Sequence, residues 1–179
     1  MDTITNNVLK FAAALQYAIK KHDATKQTRE DLVTPYWVHP LRVAERLKAV
    51  GINDYEILSA AVLHDVIEDT DATLNELEAL FGKGVTQLVA AVSRGPDQSL
   101  DEYHKQISYS SAEAQTLKLA DKWDNTNELL RMQYTSYGGK PPLEYIRDAE
   151  DTLQACSKGN AQLKELLRLE IEKAKKTFG

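Results

Sequence analysis

The sequence predicts an all-α protein, a compact single-domain helical bundle of about eight or nine helices with residues 1–179 forming one domain. Three observations predict it. No stretch alternates apolar and polar residues for the length of a strand. Apolar residues recur instead at three- and four-residue spacing in one segment after another. Those segments are punctuated by helix caps and stops, among them Gly51, Asn53-Asp54-Tyr55-Glu56, Thr73-Leu74-Asn75-Glu76 and Asn160. The length suits one domain with a sizeable core.

Val8, Phe11, Ala12, Leu15, Ala18 and Ile19 define a first amphipathic helix ending near Lys21. His22 to Val33 is polar and aperiodic and reads as a loop that can edge a pocket. In Thr34-Pro35-Tyr36-Trp37-Val38-His39-Pro40, the prolines predict a short turn, a break at His39 and a helix from Pro40 to about Val50. Gly51 closes that helix, and the capping box at Asn53 opens a central one. A short helix follows Thr73 through Leu80 and Phe81, Gly82 and Gly84 break it, and Val85–Val92 carries another apolar face. Ser93-Arg94-Gly95-Pro96-Asp97 is a loop; Leu100–Ile107 is a weakly patterned helix whose His104 reads as exposed. Ala112–Met132 is a long helix on which Lys122 and Asp124 are natural outer-surface residues. Ser136–Pro142 is a Gly/Pro loop, and helices over roughly Leu143–Ser157 and Ala161–Lys176 close the chain.

Composition excludes several classes of function. A net charge of −5 argues against broad binding to nucleic acid or an anionic membrane, but leaves room for a small-molecule nucleotide held locally. The single cysteine, Cys156, cannot form an intrachain disulfide and reads as a small buried hydrophobe. Met1-Asp2-Thr3-Ile4-Thr5 lacks the pattern of a secretory leader, and no apolar run spans a bilayer. A cytoplasmic protein is expected, with its oligomeric state open.

The chemistry concentrates in Ala60-Ala61-Val62-Leu63-His64-Asp65-Val66-Ile67-Glu68-Asp69-Thr70. Read as one unbroken helix, it sets Glu68 over His64 and Asp69 over Asp65. Burying such groups is costly unless they are paired or bind a cation. His39, at a helix entrance, and Asp121, within the apolar Leu117-Lys118-Leu119-Ala120-Asp121, extend the set. Lys118, Asp121 and Asn125 share one helix face. Two imidazoles and two carboxylates suit Mn, Fe or Zn, and the lack of thiolates disfavours a closed structural zinc site. One octahedral ion held by four such ligands keeps positions for water and a substrate oxygen. Glu68 and Asp69 are placed to orient that water or exchange its proton. Phosphoester or phosphoanhydride hydrolysis needs this equipment. Nucleophile-elbow, P-loop and dinucleotide signatures are absent from the sequence.

His39, His64-Asp65 and Asp121 resemble the spaced H…HD…D signature of the HD-domain metal-dependent phosphohydrolases. Three further segments look like the hydrolase domain of the RelA/SpoT homologues, and especially the stand-alone small alarmone hydrolases of the Mesh type. They are Pro35-Tyr36-Trp37-Val38-His39-Pro40, Leu63-His64-Asp65-Val66-Ile67-Glu68-Asp69-Thr70, and Lys118-Leu119-Ala120-Asp121-Lys122 with Asn125. The similarity runs through Glu144-Tyr145-Ile146 into the closing helices. The resemblance implies an HD-type bundle and hydrolysis of the 3′-pyrophosphate of guanosine tetra- and pentaphosphate, the stringent-response alarmones, with Mn²⁺ as the usual metal. It implies His39, His64, Asp65 and Asp121 as ligands and Glu68 and Asp69 as the pair serving the attacking water. Arg29, Tyr36, Lys118 and Asn125 are implied around the substrate.

The sequence departs from the family pattern in one stretch. Where the family commonly carries Q-x-RK-x-G, this chain reads Gln27-Thr28-Arg29-Glu30-Asp31-Leu32, so an acid replaces a base and the glycine is missing. Trp37 and Asp124 also stand where an aliphatic residue and an aromatic or histidine are usual. The metal chemistry is untouched, while the nucleotide stays open between guanosine alarmones and another purine nucleotide. An inactive nucleotide-binding regulator is the non-enzymatic alternative.

Overall fold

The computed structural model describes residues 3–132, 137 and 139–179, with side chains from residue 6. Met1 and Asp2, in the segment read for a leader, and Ser136, at the start of the Gly/Pro loop, lie outside the described residues. Among the described residues the chain is helical with no strand, in ten segments of which one is a single turn. By backbone contacts it divides into two units, Met1–Asp97 and Gln98–Gly179.

The first unit holds α1 (Thr3–Thr25), α2 (Val38–Ala49), α3 (Tyr55–Leu63), α4 (Val66–Asp69), α5 (Leu74–Phe81) and α6 (Lys83–Val92). At its centre is α3, against which α1, α2 and α6 pack. Every residue from Ile57 to Leu63 is buried, so this helix lacks a polar face to turn to water. The cap is Asp54, one residue after the expected Asn53: its side chain accepts from the Glu56 and Ile57 N–H groups at 2.8 and 3.2 Å, while the Asn53 amide turns back to the Gly51 carbonyl. The Glu56 carboxylate, the tip of a flexible and exposed side chain, lies over Gly84 at the start of α6, where it would swing aside for a Cβ. Gly51 ends α2 with φ +84°, and the bonds Gly51 N–H to Lys48 O and Ile52 N–H to Leu47 O form a Schellman motif.

Three local expectations are corrected here. Helix α1 runs through His22 to Thr25, so the loop starts four residues later than its polarity suggested; His22 is fully buried. His39 lies in the first turn of α2, not before it, because Pro40 is tolerated in a first turn. The central helix is interrupted at His64-Asp65. The cause is a competing donor: His64 Nδ1 lies 2.8 Å from the Ala61 carbonyl, the group to which the Asp65 N–H would donate in a continuous helix.

Between α1 and α2 the chain makes a tight excursion closed by the Thr28–Pro35 bridge. Asp31 organises it by accepting from the N–H groups of Val33 and Thr34 and from the Thr34 hydroxyl. These bonds, the Thr34 hydroxyl first, pull its carboxyl down to about 2. The turn puts the exposed Leu32 at φ +61°, where glycine is favoured and where the family pattern has one. Leu32→Gly is therefore expected to raise stability by about 0.5–1 kcal/mol, the left-handed strain less the added unfolded-state entropy, read by urea unfolding.

The second unit holds α7 (Leu100–Tyr109), α8 (Ala112–Met132), α9 (Pro142–Ala155) and α10 (Ala161–Phe178). Helix α8 packs against the other three. Ser99 and Glu102 form a full capping box for α7, and Asn160 caps α10. The buried Gln115 ties the unit together, donating to the Ile107 and Ser108 carbonyls and accepting from the Lys158 N–H at 2.7 Å. Cys156 is fully buried, and burial pushes its thiol up to about 12, consistent with a packing role.

His104, Lys122 and Asp124 correct the surface assignment. Asp124 and Lys122 are buried, and His104 is mostly covered. The Asp148 carboxylate on α9 receives Lys122 Nζ at 2.8 Å and lies 3.1 Å from His104 Nε2. Periodicity along α7 and α8 cannot show a carboxylate supplied by α9. Burial pushes the Asp148 carboxyl up, but the His104 hydrogen bond and the Lys122 charge outweigh it and hold it far below the carboxylate range. A depressed folded-state value contributes stability that is fully present above the unfolded value of about 3.9 and is lost as pH falls below it. Asp148→Asn should cost about 3 kcal/mol at pH 7, and its gap to wild type should narrow steadily in melts between pH 5 and 2. A gap independent of pH would refute the charge assignment.

Candidate active site

In the first unit, residues from the turn before α2, from its first turn and from the α3–α4 junction converge. His39 Nε2 lies 3.7 Å and His64 Nε2 3.1 Å from Asp65 Oδ2. Both histidines are buried, with ligand nitrogens within 4.8 Å of each other. The Tyr36 hydroxyl donates to Asp65 Oδ2 at 2.7 Å. Burial above all, then the Asp65 and Asp69 charges, holds the Tyr36 phenol well above its usual range, so it remains a donor.

The interruption after Leu63 has a chemical consequence. A carbonyl only accepts, so His64 Nδ1 donates to Ala61 and Nε2 is the ring nitrogen turned towards Asp65. Nε2 and the Asp65 oxygen lie 3.1 Å apart. An imidazole nitrogen and a carboxylate oxygen at that spacing are donors that one cation can share. A carbonyl behind a ligating imidazole is the usual second partner in metal sites, and the imidazole and carboxylate donors suit a divalent transition ion. The His/Asp cluster can thus bind a divalent metal.

Glu68 and Asp69 follow on the single turn α4, whose N–H groups at both residues donate to the Asp65 carbonyl at 3.2 and 3.0 Å. Glu68 is exposed and Asp69 half-buried. Burial first, then the Asp65 charge, raises the Asp69 carboxyl, while a hydrogen bond from Gln27 Nε2 at 3.0 Å opposes the rise. Gln27 Oε1 lies in turn 3.0 Å from His22 Nδ1, and His22 stacks at a tilt on Tyr36. Gln27 and His22 were missed as site residues; only Gln27's place in the Q-x-R stretch signalled them. Arg29 is buried with its guanidinium over the Tyr36 ring, 5.3 Å from its centroid, and Glu30 is exposed.

In the second unit Asp121 is buried on α8, and both its oxygens are engaged. Oδ2 accepts from Lys118 Nζ at 2.7 Å and Oδ1 from Asn125 Nδ2 at 2.8 Å. A carboxylate has about four lone-pair sites, so it retains capacity for another partner. Tyr137, unmarked by any motif, donates to Asn125 Oδ1 at 3.0 Å and fixes the orientation of that amide. Lys118, Asp121 and Asn125 therefore share one face as their spacing required, but Lys118 acts directly on the carboxylate.

A pocket of about 630 Å³ opens in the first unit beside the acidic pair. Glu68 and Asp69 line one side, and Ala90, Ser93, Arg94 and Pro96 another. The volume is in the range of small-molecule sites. Arg94 also escaped the sequence reading, since an arginine in a Gly/Pro loop carries no periodic signal.

Residues 14–129 match the HD domain family. The chain is 37% identical over 163 residues to the guanosine-3′,5′-bis(diphosphate) 3′-pyrophosphohydrolase MESH1 of Mus musculus, covering 87% of this chain and 89% of that protein. It is 34% identical over 151 residues to the bifunctional (p)ppGpp synthase/hydrolase SpoT of Escherichia coli, covering 79% of this chain and 20% of SpoT. A solved structure described as a metazoan ortholog of SpoT that hydrolyses ppGpp superimposes with a TM-score of 0.78 at 32% identity, over 92% of this chain and 94% of that one.

Proposed function

The chain belongs to the HD domain family, and on that premise we propose that it hydrolyses the 3′-pyrophosphate of guanosine 3′,5′-bis(diphosphate), releasing pyrophosphate and GDP, and GTP from the pentaphosphate. The observation that carries the reading is the His39–His64–Asp65 cluster with Glu68 and Asp69 one turn on, bordering a pocket of nucleotide size. It is supported by the MESH1 relative, which carries this activity in its name and is matched over most of both chains.

His39, His64, Asp65 and Asp121 are the residues that would hold a divalent ion, with Mn²⁺ the proposed metal. The HD domain match spans all four positions, which supports reading residues 1–179 as one domain. Three of them, His39, His64 and Asp121, are buried and offer a ligand atom. When bound, such an ion acidifies water and polarises a phosphoryl oxygen. Glu68 and Asp69 do the proton work. A water oxygen bonds to the phosphorus next to the ribose 3′ oxygen, and the bond from that phosphorus to the 3′ oxygen breaks. One water proton passes to the acidic pair, and the 3′ oxygen leaves as a hydroxyl by taking a proton back, so atoms and charge balance. Tyr36 holds Asp65 through its hydroxyl, and Gln27 holds Asp69. Arg29, Tyr36, Lys118 and Asn125 contribute to nucleotide binding, Lys118 chiefly through Asp121. No described helix is long and apolar enough to cross a membrane. A cytoplasmic setting fits a chain with one buried cysteine.

The deciding experiment is Mn²⁺-dependent turnover of guanosine tetraphosphate with pyrophosphate quantified, beside adenosine alarmones and simple purine nucleotides. Preferred release of pyrophosphate from the guanosine compound supports the reading. Preferred turnover of another nucleotide, or tight binding without release, overturns it.

A further inference from the structure

We infer that Arg94 holds the departing diphosphate in the pocket beside Glu68 and Asp69, a role that rests on the pyrophosphohydrolase reading above. The pocket poses an electrostatic problem. Two of its lining side chains are carboxylates, and the group to be cleaved carries several negative charges. Like charges a few ångströms apart repel by about 1–4 kcal/mol per pair, depending on exposure. On the side of the pocket formed by the end of α6, Arg94 is the sole basic lining residue among those described.

Two features make Arg94 suited to an anion instead of to a structural pair. Its side chain is exposed and, among the described residues, makes no ion pair or hydrogen bond, so its charge is not already neutralised. Its backbone, in contrast, is anchored. The Ser93 N–H and hydroxyl both return to the Val89 carbonyl, at 3.0 and 2.9 Å, and Gly95-Pro96 follows immediately. A guanidinium on a fixed stem presents a planar fork that matches two phosphate oxygens at once. The nucleoside itself makes no such demand, so Arg94 discriminates for the diphosphate and not for the base.

The test is calorimetric binding of inorganic pyrophosphate to the Mn²⁺-loaded full chain, with guanosine, which lacks a phosphate, as the second probe. Arg94→Gln should weaken pyrophosphate binding about tenfold and leave guanosine affinity unchanged. Arg94→Lys should recover part of the loss, because it keeps the charge and loses the fork. In turnover, Arg94→Gln should relieve product inhibition by pyrophosphate by the same factor. Equal pyrophosphate affinity in wild type and Arg94→Gln, no pyrophosphate binding by wild type, or an equal loss for guanosine would each overturn the assignment. The binding measurement needs no turnover. A wild-type chain that binds pyrophosphate through Arg94 but releases none from guanosine tetraphosphate sinks the substrate reading alone.

Discussion

Asp65→Ala should abolish metal-dependent release of pyrophosphate and strip the protein of its metal. The Asp65 carboxylate is the point on which the first unit's cluster converges: one oxygen faces both imidazoles and accepts from the Tyr36 hydroxyl. The substitution takes away the carboxylate that both imidazoles face and the 2.7 Å acceptor of the Tyr36 hydroxyl. Loss of an outer-shell partner alone typically costs 10- to 100-fold in metal affinity, so loss of a ligand is expected to exceed about 100-fold. Activity should fall by at least about 10³, as both the acidified water and the polarised phosphoryl oxygen depend on the ion. Metal analysis after dialysis and a pyrophosphate assay check both halves. A variant that turns over at the wild-type rate would refute the ligand assignment.

Glu68→Gln should give the complementary result, an inactive protein that keeps its metal. Glu68 is exposed on the pocket wall and stands outside the His39–His64–Asp65 convergence, so its neutral isostere leaves the donor set intact. It cannot accept a proton, and removal of general acid–base catalysis costs about 10²–10⁴ in turnover. The loss should fall on kcat with substrate affinity little changed. Near-normal kcat would assign the proton work to Asp69, which Gln27 holds by a hydrogen bond. Loss of metal from Glu68→Gln would move Glu68 into the ligand set.

The contrast between these two carboxylates shows where sequence and structure divide the information. The helical class, the caps at Thr73 and Asn160, the stop at Gly51 and the shared face of Lys118, Asp121 and Asn125 are local matters. They follow from residue type and a 3.6-residue period, and the chain alone determined them. The same holds for the metal-binding character of His39 and His64-Asp65, whose donor chemistry is set by residue identity. Tertiary structure decided the rest. The interruption after Leu63 depends on a ring rotamer that takes the Ala61 carbonyl, and a spacing rule that assumes unbroken helix does not contain it. The burial of Lys122 and His104 depends on Asp148, contributed by a helix more than twenty residues further on. The link from His22 through Gln27 to Asp69, and the pocket wall that brings Arg94 to the acidic pair, join residues tens of positions apart. Periodicity reports which side of a helix is apolar. Which partner meets that side is fixed only when the whole chain packs, because long-range pairing is selected by burial and charge together and not by any local preference.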